Sequence, residues 1–564
     1  MQASKFSVLH RSSQIAKLAA ETFDLAIIGG GITGAGIALD ATARGLKVCL
    51  IEKNDFASGT SNKSTKLIHG GLRYLKNFEI SLVRESGSER AIVHNLAPHL
   101  VTPQKMLLPL IEGGTYGKLM TALGLKVYDF LADVKGDDRR KMLDKAETLH
   151  KEPLLDKQTV IGGGLYAEYR TDDARLTIEI LKKATTLGAT IINYCEMTSF
   201  NYDSQSKIES LNSKDLNSES IFTIKAKNYV SATGPWVDQV LKKDNSTNKK
   251  RLHLTKGVHL VFAFEKLPVK QSIYFDVPDG RMVFAIPRGR VTYVGTTDTD
   301  YYGNLDRVVT TKADAKYLLS AVNNMFKTVN LTIDDIESNW AGLRPLIHED
   351  NKSASELSRK DEIFVSDSGL ISMAGGKLTG YRKMAYRALD AVLKTYNTEE
   401  DKFRFENSTT ETMALVNPSL TSNDEVEDYQ KYIEKQLSGL GITDIYHSWY
   451  LCSFYGKQAN IIIEKSKRFN SDSGLENLIR AELWYSVHFE MVNSINDFFI
   501  RRTGRLYFDI ESIKQYKTII IKDISEYLNW DTNRINKEEE KLNLALKDAT
   551  TYYDTDFNKK SNIF

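Results

Sequence analysis

Cysteine is scarce. The 564-residue chain has three, Cys49, Cys195 and Cys452, far apart, with no CxxC pair and no histidine spacing of a zinc site. That excludes a disulfide framework and a structural metal, and it points to a reducing compartment. Excess charge is missing too: 75 Lys plus Arg nearly balance 73 Asp plus Glu, a net charge of +2. No basic surface therefore argues for nucleic acid, and any phosphate must be met by a local site. No run approaches the roughly 20 apolar residues of a membrane span, and residues 1–21, with Lys5, Arg11 and Lys17, lack an apolar core of signal-peptide length. The expectation is a cytoplasmic protein, or one bound only peripherally to the inner face of the plasma membrane. What is present, 41% hydrophobic and 26% charged residues, suits a multi-domain globular chain with two or three cores.

From residue 23 the pattern reads strand (24–28), glycine turn (29–31), helix (32–44) and strand (47–52), a complete βαβ unit. A loop of small polar residues follows, Ala57-Ser-Gly-Thr-Ser-Asn-Lys-Ser-Thr65, and 80–96 reads as a helix. Residues 107–134 are apolar with interspersed lysines, the pattern of a half-buried helix or of an amphipathic anchor in a membrane interface. Residues 172–188 predict a helix, 190–193 a strand, and 222–231 a buried strand running into Ala232-Thr-Gly-Pro-Trp236. Between 252 and 297, strand-like stretches with turn signals predict an antiparallel sheet. A strand at 370–374, a turn at Gly375-Gly376 and a helix over 377–394 follow, and beyond 400 the patterns are helical with few glycines. The expected organisation is an N-terminal arm (1–22), a catalytic region (23–400), a helical C-terminal domain (401–547) and a polar tail (548–564). Within the catalytic region the dinucleotide-binding parts lie at about 23–80, 150–250 and 345–400, and the substrate-domain parts at about 81–149 and 251–344. The fold class is thus α/β plus α+β, a Rossmann-like domain beside an antiparallel sheet.

Gly29-x-Gly31-x-x-Gly34, with Gly30, Ile32 and Thr33 between, follows a strand and opens a helix, and Glu52 ends the next strand 18 residues past Gly34. Gly29 permits the tight turn, Gly31 lets the backbone approach a pyrophosphate, Gly34 lets helix and strand pack, and Glu52 accepts hydrogen bonds from a ribose. FAD and NAD both use this unit. Three features favour FAD: the Ser/Thr-rich loop after Glu52, the strand-to-Ala232-Thr-Gly234 turn, and the Gly375-Gly-Lys-Leu-Thr379 turn. The last puts another helix N-terminus where it can stabilise charge on a reduced flavin.

At Lys66-Leu-Ile-His-Gly-Gly-Leu-Arg-Tyr-Leu75 the sequence resembles the FAD-dependent glycerol-3-phosphate dehydrogenase/oxidase family. Segments matching in order are Ala97-Pro-His-Leu100, Asp172-Asp-Ala-Arg-Leu176, Ala232-Thr-Gly-Pro-Trp-Val237, Lys256-Gly-Val-His259, Gly295-Thr-Thr-Asp298, Ala341-Gly-Leu-Arg-Pro345 and Gly375-Gly-Lys-Leu-Thr-Gly-Tyr-Arg382, with Arg501-Arg-Thr-Gly504 beyond. The resemblance implies a fold of the glycine-oxidase/glutathione-reductase-2 type, noncovalent FAD and glycerol 3-phosphate as reductant. It gives Arg73, Tyr74, His259, Arg344, Arg359 and Lys377 as substrate contacts, with His69 near the flavin ring. Gly29, Gly30, Gly31, Ile32, Thr33, Gly34, Glu52, Lys53, Ser61, Ser64, Lys66, Leu67, Gly70, Gly71, Gly234, Gly375, Gly376, Lys377, Leu378 and Thr379 would line FAD. A homodimer is compatible with it.

A phosphate dianion needs fixed cations at one end of a site and the flavin at the other. Arg344, before Pro345, reads as a clamp on a sheet edge or turn; Arg73 follows a double glycine. Lys377 at the first turn of a helix conflicts with the dipole unless an anion is near. Each of these cations could otherwise be a solvated surface charge, and each histidine a structural one. The implied chemistry is loss of the C2 hydroxyl proton to a base (His69, His259, a water or a lysine) as hydride leaves C2. The acceptor is a quinone, or O2 if the chain is an oxidase. Some oxidases of the family carry an extra segment before the Gly-Gly-Lys turn, and the interval 298–375 is too short for one. An amine or amino-acid oxidase is the alternative of similar fold.

Overall fold

The computed structural model describes residues 3–69, 79–114, 121–122, 124–127, 139–245, 251–348, 360–396 and 405–554. Among them, eight strands form one sheet and ten another. The first sheet follows from the βαβ unit. Thr22–Ile28 pairs in parallel with Val48–Ile51 on one side and Ile221–Ser231 on the other. Leu370–Gly375 lies parallel beyond Ile221–Ser231, and Thr190–Ile192 beyond Val48–Ile51. These strands read as continuous apolar runs because helices cover them: Ile32–Ala43 packs on Asp173–Thr186 and on Tyr381–Leu393. Leu25, Leu50, Val230 and Ile371 are fully buried between these layers.

The second sheet is mostly antiparallel. Leu252–Ala263 is flanked by Ile336–Ile347 and Val291–Gly295, and the sheet continues through Met282–Arg288 and Ser272–Asp276 to Thr102–Ile111 and Val160–Arg170. After residue 420 come helices, among them Asn423–Ser438, Ile445–Tyr455, Gly474–Phe489, Ile510–Leu528 and Thr532–Thr550. They are fixed against the first sheet and its helices by charges taken almost wholly out of water. Arg501 and Arg502, on a π-helical turn Asp497–Arg502, clasp Asp55, and Arg175 pairs with Glu490. No described helix is long and apolar enough to cross a membrane.

Three expectations change. The described start of the 107–134 stretch is strand, not anchor: Leu107, Leu108 and Leu110 end Thr102–Ile111 and are buried in the second sheet. Residues 115–120, 123 and 128–134 lie outside the described residues. The polar tail does not begin at 548: Asp548 pairs with Arg307, Ala549 is buried, and Lys312 donates its backbone N–H to the Tyr553 carbonyl. The helix expected from 377 begins at Tyr381, after a 3₁₀ turn Leu378–Gly380, with Lys377 extended before it.

Candidate active site

Adjacent parallel strands end their C-termini side by side, so the turns that follow them meet at one rim. Here the three turns are those singled out in the sequence. Gly29 has φ +112°, and a Cβ there would sit 2.6 Å from the Ala232 carbonyl oxygen, so only glycine lets the two chains cross. Gly34 packs where a Cβ would come within 1.9 Å of the Gly29 oxygen. Gly375 and Gly376 have φ of +72° and +86°, and among the described residues no side chain caps the 3₁₀ turn behind them. Gly31 likewise caps Ile32–Ala43 without a side-chain bond, leaving the helix N-terminus turned to the rim.

The rim opens into a cavity of about 290 Å³ lined by Gly29, Gly31–Thr33, Glu52, Lys53, Ser61, Ser64, Leu67, Gly234 and Gly375–Thr379. Glu52 is set by the backbone: Gly30 N–H donates to one carboxylate oxygen at 2.7 Å and Asn54 N–H to the other at 2.8 Å. Burial raises its pKa, against those two donors. Ser61 Oγ accepts from Ile32 N–H at 2.9 Å. Lys66 corrects the expectation for its side chain, which is 1% exposed and paired with Asp173 (2.5 Å) and Asp172 (3.4 Å) instead of lining the cavity.

The second sheet supplies the opposite wall. Gly257 and Gly342 pair directly across Leu252–Ala263 and Ile336–Ile347, and residues two apart share a face, so His259, Gly257, Gly342 and Arg344 lie on one side. The absent side chains make the room: a Cβ on Gly257 would lie 2.3 Å from the Arg344 guanidinium, and one on Gly342 2.4 Å from the Lys63 carbonyl oxygen. Arg344 thus projects from the body of an edge strand, held by Thr296 Oγ1 (2.8 Å), the Thr297 oxygen (3.1 Å) and Asp298 (3.3 Å), with 18% of its side chain exposed. His259 stacks on Trp340, centroids 4.7 Å apart, and its Nε2 shares a hydrogen bond with Thr65 Oγ1 at 3.0 Å. Burial, then Arg344 and Lys66, push its pKa well below 6.5, so the ring is neutral near pH 7. Lys377 Nζ donates to the His69 carbonyl oxygen at 2.8 Å, which answers the dipole conflict: its ammonium is anchored on backbone, not stacked over a helix start.

His69, His259, Arg344 and Lys377 therefore line the same cavity as the glycine turns. Arg73, Tyr74, Gly70, Gly71 and Arg359 lie outside the described residues. Sequence reasoning gave no role to Gly257, Gly295 or Gly342, although each stands inside one of the matching segments quoted above. A Cβ at Gly295 would strike the His259 ring at 2.1 Å. It also missed Lys63, a cavity lysine whose pKa burial and Arg501 bring down to about 8.

Glycine turns at the carboxyl ends of a parallel sheet, a ribose-type carboxylate and an adjoining cationic, histidine-bearing wall define a dinucleotide-dependent oxidoreductase. Residues 24–382 match the family of FAD dependent oxidoreductases, and 421–535 match the C-terminal domain of alpha-glycerophosphate oxidase. The aerobic glycerol-3-phosphate dehydrogenase of Bacillus subtilis is 48% identical over 97% of this chain and 98% of its own. The glycerol-3-phosphate dehydrogenase of Bacillus halodurans, solved with FAD, is 41% identical with a TM-score of 0.82 over 97% of this chain and 99% of that one. A glycine oxidase from Geobacillus kaustophilus, 20% identical with a TM-score of 0.50 over 67% of this chain and 96% of that one, shares the fold. The chain belongs to the FAD-dependent oxidoreductases and, among them, to the aerobic glycerol-3-phosphate dehydrogenase family, with FAD as its cofactor.

Proposed function

We propose that the chain oxidises sn-glycerol 3-phosphate to dihydroxyacetone phosphate and passes the electrons to a quinone at a membrane surface. The observation that carries this reading is the meeting, in one cavity, of two anchored cations with a neutral histidine beside the dinucleotide turns. FAD fits that cavity: the Gly29–Gly31 turn and helix end suit its pyrophosphate, Glu52 its ribose, and the Gly375–Thr379 turn its ring end. Bound there, it supplies the acceptor for the hydride that leaves C2.

The chain's own residues do the rest. Arg344, preset by Thr296, Thr297 and Asp298, presents a planar fork to phosphate oxygens, and Lys377 adds a second cation. His259 Nδ1 is buried without a hydrogen-bond partner among the described residues, and the neutral ring accepts a proton from the C2 hydroxyl. Substrate phosphate offsets the field of Arg344, which raises the basicity of His259 when it is needed. His69 holds Lys377 through its carbonyl oxygen.

Turnover of glycerol 3-phosphate with a soluble quinone under nitrogen tests the reading. Peroxide release in air at the full turnover rate puts O2 in place of the quinone, and oxidation of glycine or sarcosine with none of glycerol 3-phosphate rejects the substrate.

A further inference from the structure

His259 lies on a central strand of the second sheet, Leu252–Ala263, with Trp340 and Gly295 directly opposite it on the two flanking strands. Directly opposed residues share a face, so the imidazole has a large flat ring on one side and no side chain on the other. It stacks on Trp340 with 11° between the planes and leans over Gly295, where a Cβ would lie 2.1 Å from its Cδ2 and 2.5 Å from its Nε2. The ring is held in one place. Its Nδ1 is buried without a hydrogen-bond partner among the described residues, and its Nε2 meets the Thr65 hydroxyl at 3.0 Å.

Thr65 is held there by the same two aromatic residues that pack around the imidazole. The Trp340 indole N–H donates to the Ser64 carbonyl oxygen at 3.2 Å. The Tyr293 hydroxyl, whose ring centroid lies 6.4 Å from that of His259, donates to the Thr65 carbonyl oxygen at 3.0 Å. From the other side Ser64 N–H donates to Asp173 at 3.2 Å, and the Lys66 ammonium pairs with the same carboxylate at 2.5 Å. Both peptide oxygens flanking the Thr65 side chain are thus tied to the sheet that carries His259, and the residues on either side of it are tied to the helix Asp173–Thr186. With the backbone fixed from two sides, the Thr65 hydroxyl is set at Nε2.

A base must be reached by the proton it takes. Nδ1 is enclosed, so a proton from the cavity enters the ring at Nε2, and there Thr65 stands: both residues line the cavity, and the hydroxyl of one holds that nitrogen of the other. We propose, resting on the reading of His259 as the base, that the Thr65 hydroxyl relays the C2 hydroxyl proton of glycerol 3-phosphate to His259 Nε2. The C2 O–H bond breaks as its proton passes to Thr65 Oγ1, the proton that Thr65 carried passes to Nε2, and the hydride leaves C2 for the acceptor that FAD supplies. The alcohol loses one proton and one hydride, the C2 carbonyl forms, and threonine ends as it began. Once the ketone has left, the same route run backward returns the ring's proton to water. The relay also decides the resting tautomer: Nε2 accepts from Thr65, so the single ring proton sits on Nδ1. An enclosed N–H without an acceptor costs stability, an unmatched group of the kind that a catalytic role accounts for.

Threonine variants of the FAD-loaded full chain test this. Thr65→Val keeps the shape and removes the hydroxyl. With a soluble quinone its kcat is expected to fall on the order of 100-fold while KM and flavin content stay, and Thr65→Ser is expected to bring turnover back to within about five-fold of wild type. Thr65→Val turning over like wild type, beside an inactive His259→Gln, overturns the relay and leaves His259 as the base. His259→Gln as active as wild type overturns both. If Thr65→Val is poorly folded, the tautomer decides without it and without turnover. In protein carrying isotope-labelled histidine, the His259 ring resonances, identified by their absence from His259→Gln, are expected to show Nδ1 protonated and Nε2 bare. A proton resident on Nε2 overturns the proposal.

Discussion

Replacing Gly257 by alanine is expected to remove the proposed phosphate clamp without deleting a single polar group. The new methyl would lie 2.3 Å from one guanidinium nitrogen of Arg344 and 2.6 Å from its central carbon. Both are at the far end of a flexible side chain, so the arginine swings off its anchors on Thr296, Thr297 and Asp298 while the backbone stays. The backbone at Gly257 is not in the left-handed region, and alanine there costs the fold nothing, or gains roughly 0.4–1 kcal/mol through the unfolded chain. Function does not escape. A charge-assisted hydrogen bond to phosphate contributes about 1.5–3 kcal/mol, so losing one aligned contact lowers kcat/KM for glycerol 3-phosphate by roughly 10- to 150-fold. Steady-state kinetics beside flavin content and urea unfolding make the test: activity falls, FAD and stability do not. Kinetics within two-fold of wild type would show that the guanidinium position over Gly257 is irrelevant to substrate. Gly342→Ala is the contrast, because its methyl would meet the backbone oxygen of Lys63 at 2.4 Å and the fold must give.

Gly34→Ala should yield protein without bound flavin, since its methyl lands 1.9 Å from the Gly29 oxygen; a normal flavin spectrum would remove that packing from the account. Asp55→Asn takes from Arg502 its ion-pair partner and leaves Arg501 with Asp497 alone, at a site where Asp55 is 1% exposed, and should cost about 3–5 kcal/mol in denaturant unfolding. Lys53→Ala, which breaks the exposed pair with Asp306, should cost at most about 1 kcal/mol. Acid should destabilise the protein through its buried histidines. Burial lowers His99 and His447 to about 4 from 6.5, so between those values the unfolded chain binds protons that the folded chain refuses. Stability then falls as pH drops from about 6.5 toward 4, by up to about 1.4 kcal/mol per pH unit for each histidine. His447→Gln, whose amide oxygen can still accept from Arg290, should flatten that slope by one proton, and an unchanged slope would show that His447 titrates elsewhere.

The dinucleotide half was legible because its information is local: three glycines, a helix and a carboxylate within one βαβ unit. The second wall of the cavity was legible at Arg344, His259 and Lys377, which line it, and illegible at Gly257, Gly295 and Gly342, whose contribution is the space they leave. Long-range partners account for the misread segments. The end of the chain looks like solvent-facing polar sequence until Asp548 finds Arg307 and Tyr553 finds Thr310 and Lys312, all more than 200 residues upstream. The lysine-flecked stretch from 107 suggested an interface because apolar strand and half-buried helix look alike over five residues. Pairing with Val160–Arg170 decides it. Lys377 seemed to start a helix because the apolar period of Tyr381–Leu393 extends back to Leu378, whereas the double glycine forces a 3₁₀ turn first.

The central claim is that one cavity holds both flavin and glycerol 3-phosphate. Adding sn-glycerol 3-phosphate to the purified yellow protein under strict exclusion of oxygen tests it most directly. The account predicts prompt loss of the visible flavin absorbance, with one dihydroxyacetone phosphate formed per flavin, and recovery of the colour on adding quinone. Flavin that stays oxidised in the presence of saturating glycerol 3-phosphate would contradict it.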